Sequence, residues 1–188
     1  MLDREVHRAA RVVSSGGIIL YPTDTIWGIG CDATRPEPVS RIYGIKQRTD
    51  SKSMLVLVSG PEMLGQYVPA IPGKALELIR TASRPTTIIY PGARNLALNL
   101  LAPDGSVGIR VTTDEFCLKL IAATGIPIVS TSANLSAKPS PGSFGTIGPR
   151  IREAVDYVVD WRRDETSATA PSTIIRIGDD GSVTVIRP

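Results

Sequence analysis

Short apolar runs bounded by Gly, Pro or Ser recur along this chain and alternate with segments whose apolar residues have helical spacing. Residues 18–21, 54–58, 86–90, 107–111 and 126–130 read as buried strands. Between them lie four helical segments. The first is 3–15, with Val6, Ala9, Ala10, Val12 and Val13 on one side and Gly16-Gly17 ending it. The second runs from 36 to about 47, with Val39, Ile42, Tyr43 and Lys46 sharing a face; the others are 74–82 and 114–124, the last closed by Gly125. Thr112 and Glu115 have the spacing of a capping box for 114–124. Gly44, inside the second helix, costs about 1 kcal/mol relative to Ala, which implies a close backbone approach there. After a short helix over 149–154 the pattern changes, and strands 157–160, 172–177 and 182–186 follow one another, the last two joined by a turn at Asp180-Gly181.

Strand–helix alternation giving way to consecutive strands requires an α/β fold with a mixed parallel and antiparallel sheet flanked by helices. The 188 residues show no internal repeat, so a single domain over 1–188 is expected. At that length folding buries roughly 70% of the unfolded surface, and no disulfide or metal is needed to hold a core.

Composition narrows the function. Two cysteines, Cys31 and Cys117, and one histidine, His7, cannot build a His/Cys zinc site, so no protein-held metal is expected. Without a signal peptide the thiols are expected to be reduced, in the cytoplasm, and no apolar run approaches the length of a membrane span. A net charge of +3 suits an anionic ligand, and 5% aromatic content argues against stacked-ring RNA platforms. No Walker A pattern or Gly-x-Gly-x-x-Gly follows a strand, and His7 has no evident triad partner. Any catalysis therefore rests on positioning and electrostatic stabilisation, which suits phosphoryl or nucleotidyl transfer.

Three polar loops are placed for such work. Residues 22–30, directly after a strand, offer Thr23, Asp24 and Thr25 with two glycines; they also read as a turn that satisfies its own backbone. Lys46 and Arg48, with Lys52 nearby, form a cationic group suited to a triphosphate, although basic residues are favoured at any helix C-terminus. Residues 130–140 gather four serines, Thr131, Asn134 and Lys138, donors suited to phosphate and ribose oxygens or to water.

Pro22-Thr23-Asp24-Thr25-x-x-Gly28-x-Gly30, Lys46-x-Arg48 and Ser130-Thr131-Ser132-Ala133-Asn134-x-Ser136, in that order, resemble the YrdC/TsaC family of threonylcarbamoyl-AMP synthases. Val107-Gly108-Ile109-Arg110 and the terminal Ile186-Arg187-Pro188 fit the same pattern. The resemblance runs from about Gly16 to Arg187 and implies a twisted mixed sheet around a basic concave cleft. It implies an enzyme joining L-threonine, bicarbonate and ATP into threonylcarbamoyl-AMP and pyrophosphate, with Mg²⁺ accompanying ATP. The product would pass to tRNA threonylcarbamoyl-transferase proteins, with contact to tRNA or double-stranded RNA allowed. By family position Lys46 and Arg48 are catalytic; Lys46, Arg48, Lys52, Thr87, Ser132, Asn134, Ser140 and Arg187 hold ATP; and Thr25, Ser130 and Ser172 hold threonine.

The chain departs from the pattern at Ser53, where Pro is usual, and at Ser83-Arg84-Pro85-Thr86, where many members have Trp-Pro-Gly-Pro. The second departure weakens the role given to Thr87. Trp27 stands where Tyr is common. Two other readings remain at this point: an RNA-binding module, and a same-fold paralogue making a different carbamoyl-adenylate, such as the YciO branch or the corresponding domain of hydrogenase maturation proteins.

Overall fold

The computed structural model of the chain describes residues 1–47, 54–166, 170–178 and 180–188. The strands are β1 (Ile19–Tyr21), β2 (Gly28–Gly30), β3 (Leu55–Val58), β4 (Thr86–Tyr90), β5 (Val107–Val111), β6 (Ile128–Ser132), β7 (Tyr157–Val158), β8 (Thr173–Ile177) and β9 (Val183–Arg187). The helices are α1 (Leu2–Ser14), α2 (Pro36–Lys46), α3 (Pro61–Leu64), α4 (Gly73–Thr81), α5 (Glu115–Thr124) and α6 (Pro149–Ala154). All these strands form one sheet in the order β7-β1-β2-β6-β3-β5-β4-β8-β9. The pairs β1–β7, β3–β5 and β4–β8 are parallel and the other neighbours antiparallel, the mixed sheet expected from the order of elements.

Because side chains alternate across a strand, the sheet carries a core on each face. On one face Ile19, Tyr21, Leu57 and Ile128 pack against Val6, Ala9 and Val13 of α1 and Phe116, Leu120 and Ile121 of α5. On the other, Leu20, Ile29, Val56, Val58, Ile88 and Ile109 lie in a core with Val39 and Ile42 of α2, Ala75 of α4 and Ile151 of α6. Each such Val, Leu or Ile contributes about 1.5–3 kcal/mol by leaving water.

Several local readings are corrected. The segment Gly28–Gly30, taken from sequence as part of a loop, is strand β2 between β1 and β6. Its glycines carry no strand propensity, but they admit close neighbours: a Cβ on Gly30 would lie 2.4 Å from the Val129 carbonyl oxygen and 2.7 Å from the Tyr21 ring. Strand β6 runs over Ile128–Ser132, two residues later than expected. Pro127 lacks an N–H for the ladder and instead its carbonyl accepts from Ala33 N at 3.0 Å. The cap of α5 is Asp114, whose side chain accepts from Cys117 N at 3.0 Å; Thr112 Oγ1 accepts from Asp114 N, so no Thr112–Glu115 capping box forms. Gly44 is exposed and nothing lies within 4 Å of the place its Cβ would take, so the close approach inferred there does not exist.

Helices α1 and α5 pack on each other and cover their face of the sheet near β1 and β3. Farther along that face, Gly108 and Arg110 of β5, Thr87 and Ile89 of β4 and Ile174 of β8 line a cavity. The site is built on this part of the sheet.

Candidate active site

The cavity has a volume of about 270 Å³ and receives side chains from loops and strands far apart in sequence. Thr25, from the β1–β2 connection, enters it with Ser130 and Ser132 of β6, Thr87 of β4, Ser140 from the loop after β6, Ser172 before β8 and Arg187 of β9. Seven of the residues singled out in the sequence therefore meet in one place. The family resemblance implies one ligand for Thr25, Ser130 and Ser172 and another for Thr87, Ser132, Ser140 and Arg187, and the two groups are joined. Thr87 Oγ1 and Ser172 Oγ share a hydrogen bond of 2.8 Å, and Arg187 donates to the Ser172 carbonyl at 2.7 and 3.2 Å.

Lys46 and Asn134 are not among the residues that line the cavity. Lys46 is buried at the end of α2, and its Nζ donates to the carbonyls of Ser132, at 2.5 Å, and Asn134, at 2.7 Å. The Ser136 amide returns a hydrogen bond to the Lys46 carbonyl at 2.9 Å. The lysine thus ties the end of α2 to the polar loop that follows β6. The Asn134 amide nitrogen turns onto the carbonyls of Leu135 and Lys138, at 3.0 and 2.6 Å. Arg48 and Lys52 lie outside the described residues.

Thr25 is held from two sides. Its Oγ1 is 2.9 Å from Thr23 Oγ1, its amide donates to the same Thr23 oxygen at 3.0 Å, and Arg110 Nη1 donates to Thr25 Oγ1 at 3.2 Å. Thr23 in turn donates to the Ile26 carbonyl at 2.8 Å. These bonds make the local turn anticipated for a Thr-Asp-Thr loop, and the same turn presents Thr25 to the cavity.

Arg110 was not assigned a role from the sequence. Its side chain is 1% exposed, its Nη2 lies 3.1 Å from Asp24 Oδ1, and its Nε is buried with no hydrogen-bond partner. The signal in the sequence was an arginine inside an otherwise apolar strand, since a fully buried Arg needs a partner or a ligand. Asp24 was expected to offer its carboxylate to a ligand. It faces Arg110 instead and is absent from the cavity lining. Burial raises its pKa, against the opposing pull of the Arg110 charge. Arg187 is shifted down from the usual arginine range, by burial and then by the like charge of Arg110. Two guanidiniums on one cavity lined with hydroxyls make a site for a small ligand carrying negative charge.

Beside the cavity, Trp27 packs against Phe144 in a tilted arrangement with ring centroids 4.9 Å apart. Among the described residues no group of three or more His, Cys, Asp or Glu could hold a metal ion, and no helix is long and apolar enough to cross a membrane. His7 is exposed on α1, with Nδ1 2.6 Å from the Asp3 carbonyl, and both cysteines are buried free thiols.

A family model named for Sua5, YciO and YrdC, and described as telomere recombination, matches residues 11–188. A threonylcarbamoyl-AMP synthase of Xanthomonas euvesicatoria pv. vesicatoria is 31% identical over 182 residues, covering 95% of this chain and 96% of that protein. The solved structure of P. abyssi Sua5 complexed with L-threonine superposes with a TM-score of 0.85 at 25% identity, over 97% of this chain and 53% of that one. E. coli YciO superposes with a TM-score of 0.82 at 25% identity, over 98% of this chain and 88% of that one. Sequence over nearly the full length and the arrangement of the sheet agree, and the chain belongs to the Sua5/YciO/YrdC family.

Proposed function

We propose that the protein is a threonylcarbamoyl-AMP synthase, joining L-threonine, bicarbonate and ATP into threonylcarbamoyl-AMP and pyrophosphate for the threonylcarbamoyl modification of tRNA. The observation that carries this reading is the cavity in which Thr25, Ser130 and Ser172 share a wall with Thr87, Ser132 and Arg187. The likeness to the named synthase and to the threonine-bound Sua5 supports it. About 270 Å³ suits an amino acid with a carbamoyl group and is too small for a whole nucleotide as well, so ATP extends from the cavity along the loop after β6.

Arg110, buried in the cavity wall beside Thr25, supplies the positive charge for the amino-acid carboxylate, while Thr25 and Ser130 supply short-range polar contacts. A carbamate oxygen of N-carboxythreonine attacks the α-phosphorus of ATP, and the bond to pyrophosphate breaks. Both reactants are anions; two unit charges 4 Å apart repel by about 1 kcal/mol in water and by more in a drier cleft. Arg187 offsets that repulsion at the cavity, and Arg48 and Lys52 are assigned to the phosphates on the resemblance alone. Lys46 fixes the carbonyls of Ser132 and Asn134 and so the course of the nucleotide loop. Mg²⁺ enters with the triphosphate; the described residues offer it no carboxylate cage, and no step of this scheme depends on a protein-held ion.

The test is pyrophosphate release from ATP by the purified protein, with threonine and bicarbonate omitted in turn. Release that needs both is expected. Release that ignores threonine but accepts another amine would move the protein to a different carbamoyl-adenylate, and no release by folded protein would overturn the reading.

A further inference from the structure

Outside the cavity, a short segment after β7 is fastened by Arg162 to the loop that carries Thr25, while the adjacent Arg163 secures the segment to β7 and to Phe144. Arg162 has a φ of +59°, a left-handed backbone conformation that residues other than glycine avoid. Its guanidinium is engaged in three directions: Nη1 to Asp114 Oδ2 at 2.7 Å, Nε to Glu165 Oε2 at 2.7 Å, and Nη2 to the Thr23 carbonyl at 3.4 Å. Asp114, the cap of α5, is only 5% exposed. Arg163 points the other way, donating to the carbonyls of Val158 and Val159 while its guanidinium lies 4.8 Å over the Phe144 ring. Phe144 packs on Trp27, two residues beyond Thr25.

The geometry points to Arg162 as a positioning residue for the amino-acid site. The connection is continuous: Arg162 holds the Thr23 main chain, the Thr23 hydroxyl holds the Thr25 hydroxyl and amide, and Thr25 faces the cavity. Arg162 itself lies outside the cavity lining, in a narrow gap against Thr23, Thr25 and Trp27, so it acts through the loop and does not touch the ligand. A bidentate, planar guanidinium is needed because Asp114, Glu165 and Thr23 approach from different sides; a lysine offers one charged nitrogen and meets only one or two of them. The nucleotide end of the site, at Ser132, Ser140 and Arg187, has no bond to Arg162 among the described residues. Loss of Arg162 should therefore separate the two substrates.

This inference rests on the proposed amino-acid site, and the experiment separates the two. Threonine and ATP binding are titrated calorimetrically with wild-type protein, Arg162→Ala, Arg162→Lys and Asp114→Asn, together with the KM for each substrate. Asp114→Asn removes the ion pair but keeps a side chain that caps helices as well as Asp does, so it covers the case in which Arg162→Ala does not fold. The expected result is a ten- to hundredfold weaker threonine affinity and higher threonine KM in Arg162→Ala and Asp114→Asn, with a smaller loss in Arg162→Lys and ATP affinity unchanged. The double variant should be no worse than either single one, because both break the same pair. Wild-type threonine affinity in a folded variant, or equal losses for threonine and ATP, would overturn the inference while leaving the synthase reading in place. Wild-type protein that binds ATP but not threonine would overturn the amino-acid site and this inference with it.

Discussion

Replacing Arg110 by Met keeps most of the side-chain volume and removes the charge, which isolates the electrostatic part of its role. Two losses follow: the hydrogen bond to Thr25 Oγ1 at 3.2 Å, and the counter-charge 3.1 Å from Asp24. Breaking a buried ion pair by removing one partner costs about 3–5 kcal/mol when the other charge stays behind. Asp24 can escape that penalty by taking a proton. Neutralising a carboxyl of ordinary pKa 3.8 at pH 7 costs about 4 kcal/mol, and burial has already moved Asp24 upward, so the escape is cheaper than that. The expected loss is therefore about 2–4 kcal/mol, or roughly 4–16 °C in Tm for a chain of this size. Its pH dependence has a definite sign. A carboxyl whose folded pKa is raised above its unfolded value contributes stability that is present below the unfolded pKa and is lost as pH rises through the folded one. Removing Arg110 takes away the charge that opposes the rise, so the deficit of Arg110→Met should shrink by about 1–3 kcal/mol between pH 7 and pH 5. Urea unfolding followed by circular dichroism at both pH values measures it, and Asp24→Asn added to Arg110→Met should recover at least half of the loss at pH 7. A deficit independent of pH, or a double variant no more stable than the single one, would refute this account of the pair.

Gly30→Ala should destabilise by about 1–3 kcal/mol or more, since the new methyl would stand 2.4 Å from the Val129 carbonyl on the neighbouring strand; thermal unfolding against wild type reads the loss. Glu5 is a buried acid on α1 whose pKa is pushed up by burial but pulled lower on balance by hydrogen bonds from Tyr157, at 2.5 Å, and the Asp160 amide, at 2.8 Å, and by Arg8 and Arg4. A lowered folded pKa gives stability that is present above the unfolded value near 4.5 and is lost as pH falls through the folded one, so Glu5→Gln should flatten the acid limb of the stability profile. An unchanged slope below pH 5 in urea midpoints would refute that role.

Strand and helix periodicity carried most of the architecture, because burial of alternating or three-to-four-spaced residues is a local property of the chain. Strands 86–90 and 107–111 and the helix 149–154 lie where the spacing puts them. What the sequence concealed depends on partners distant in the chain. β2 is a Gly-Ile-Gly segment that becomes a strand only because β1 and β6 accept it between them. The shift of β6 by two residues follows from Pro127 and changes which serines face the cavity edge: Ser130 pairs in register with Leu55, and Ser132 with Gly28. Two of the polar loops were legible because their residue types are unusual directly after buried strands, and the basic group at the end of α2 joined them only through the order of the three motifs. The pairing of Arg110 with Asp24 was not legible, because the residues lie 86 positions apart and an arginine in an apolar strand signals the need for a partner without saying which residue supplies it.

Under the proposed function, that pairing also bears on how one cavity would treat two ligands differently. Arg110 brings a positive charge to the amino-acid end, but Asp24 beside it compensates much of that charge. A compensated guanidinium still offers directed N–H groups, and it suits a ligand with a carboxylate and little net charge of its own, such as an amino acid with its ammonium, the form in which threonine arrives before it is carboxylated. Arg187 differs: its donors go to the Ser172 carbonyl and, at 3.4 Å, to the Ser172 hydroxyl, and no carboxylate pairs with it among the described residues. Its charge is uncompensated, and the like charge of Arg110 helps hold its pKa down. A phosphate near Arg187 relieves that repulsion as well as gaining its own attraction, which a zwitterion does only weakly. Thr87 and Ser172 are hydrogen-bonded to each other, and Ser172 alone accepts from Arg187, so in the proposed arrangement the amino-acid end and the nucleotide end meet at that pair of hydroxyls.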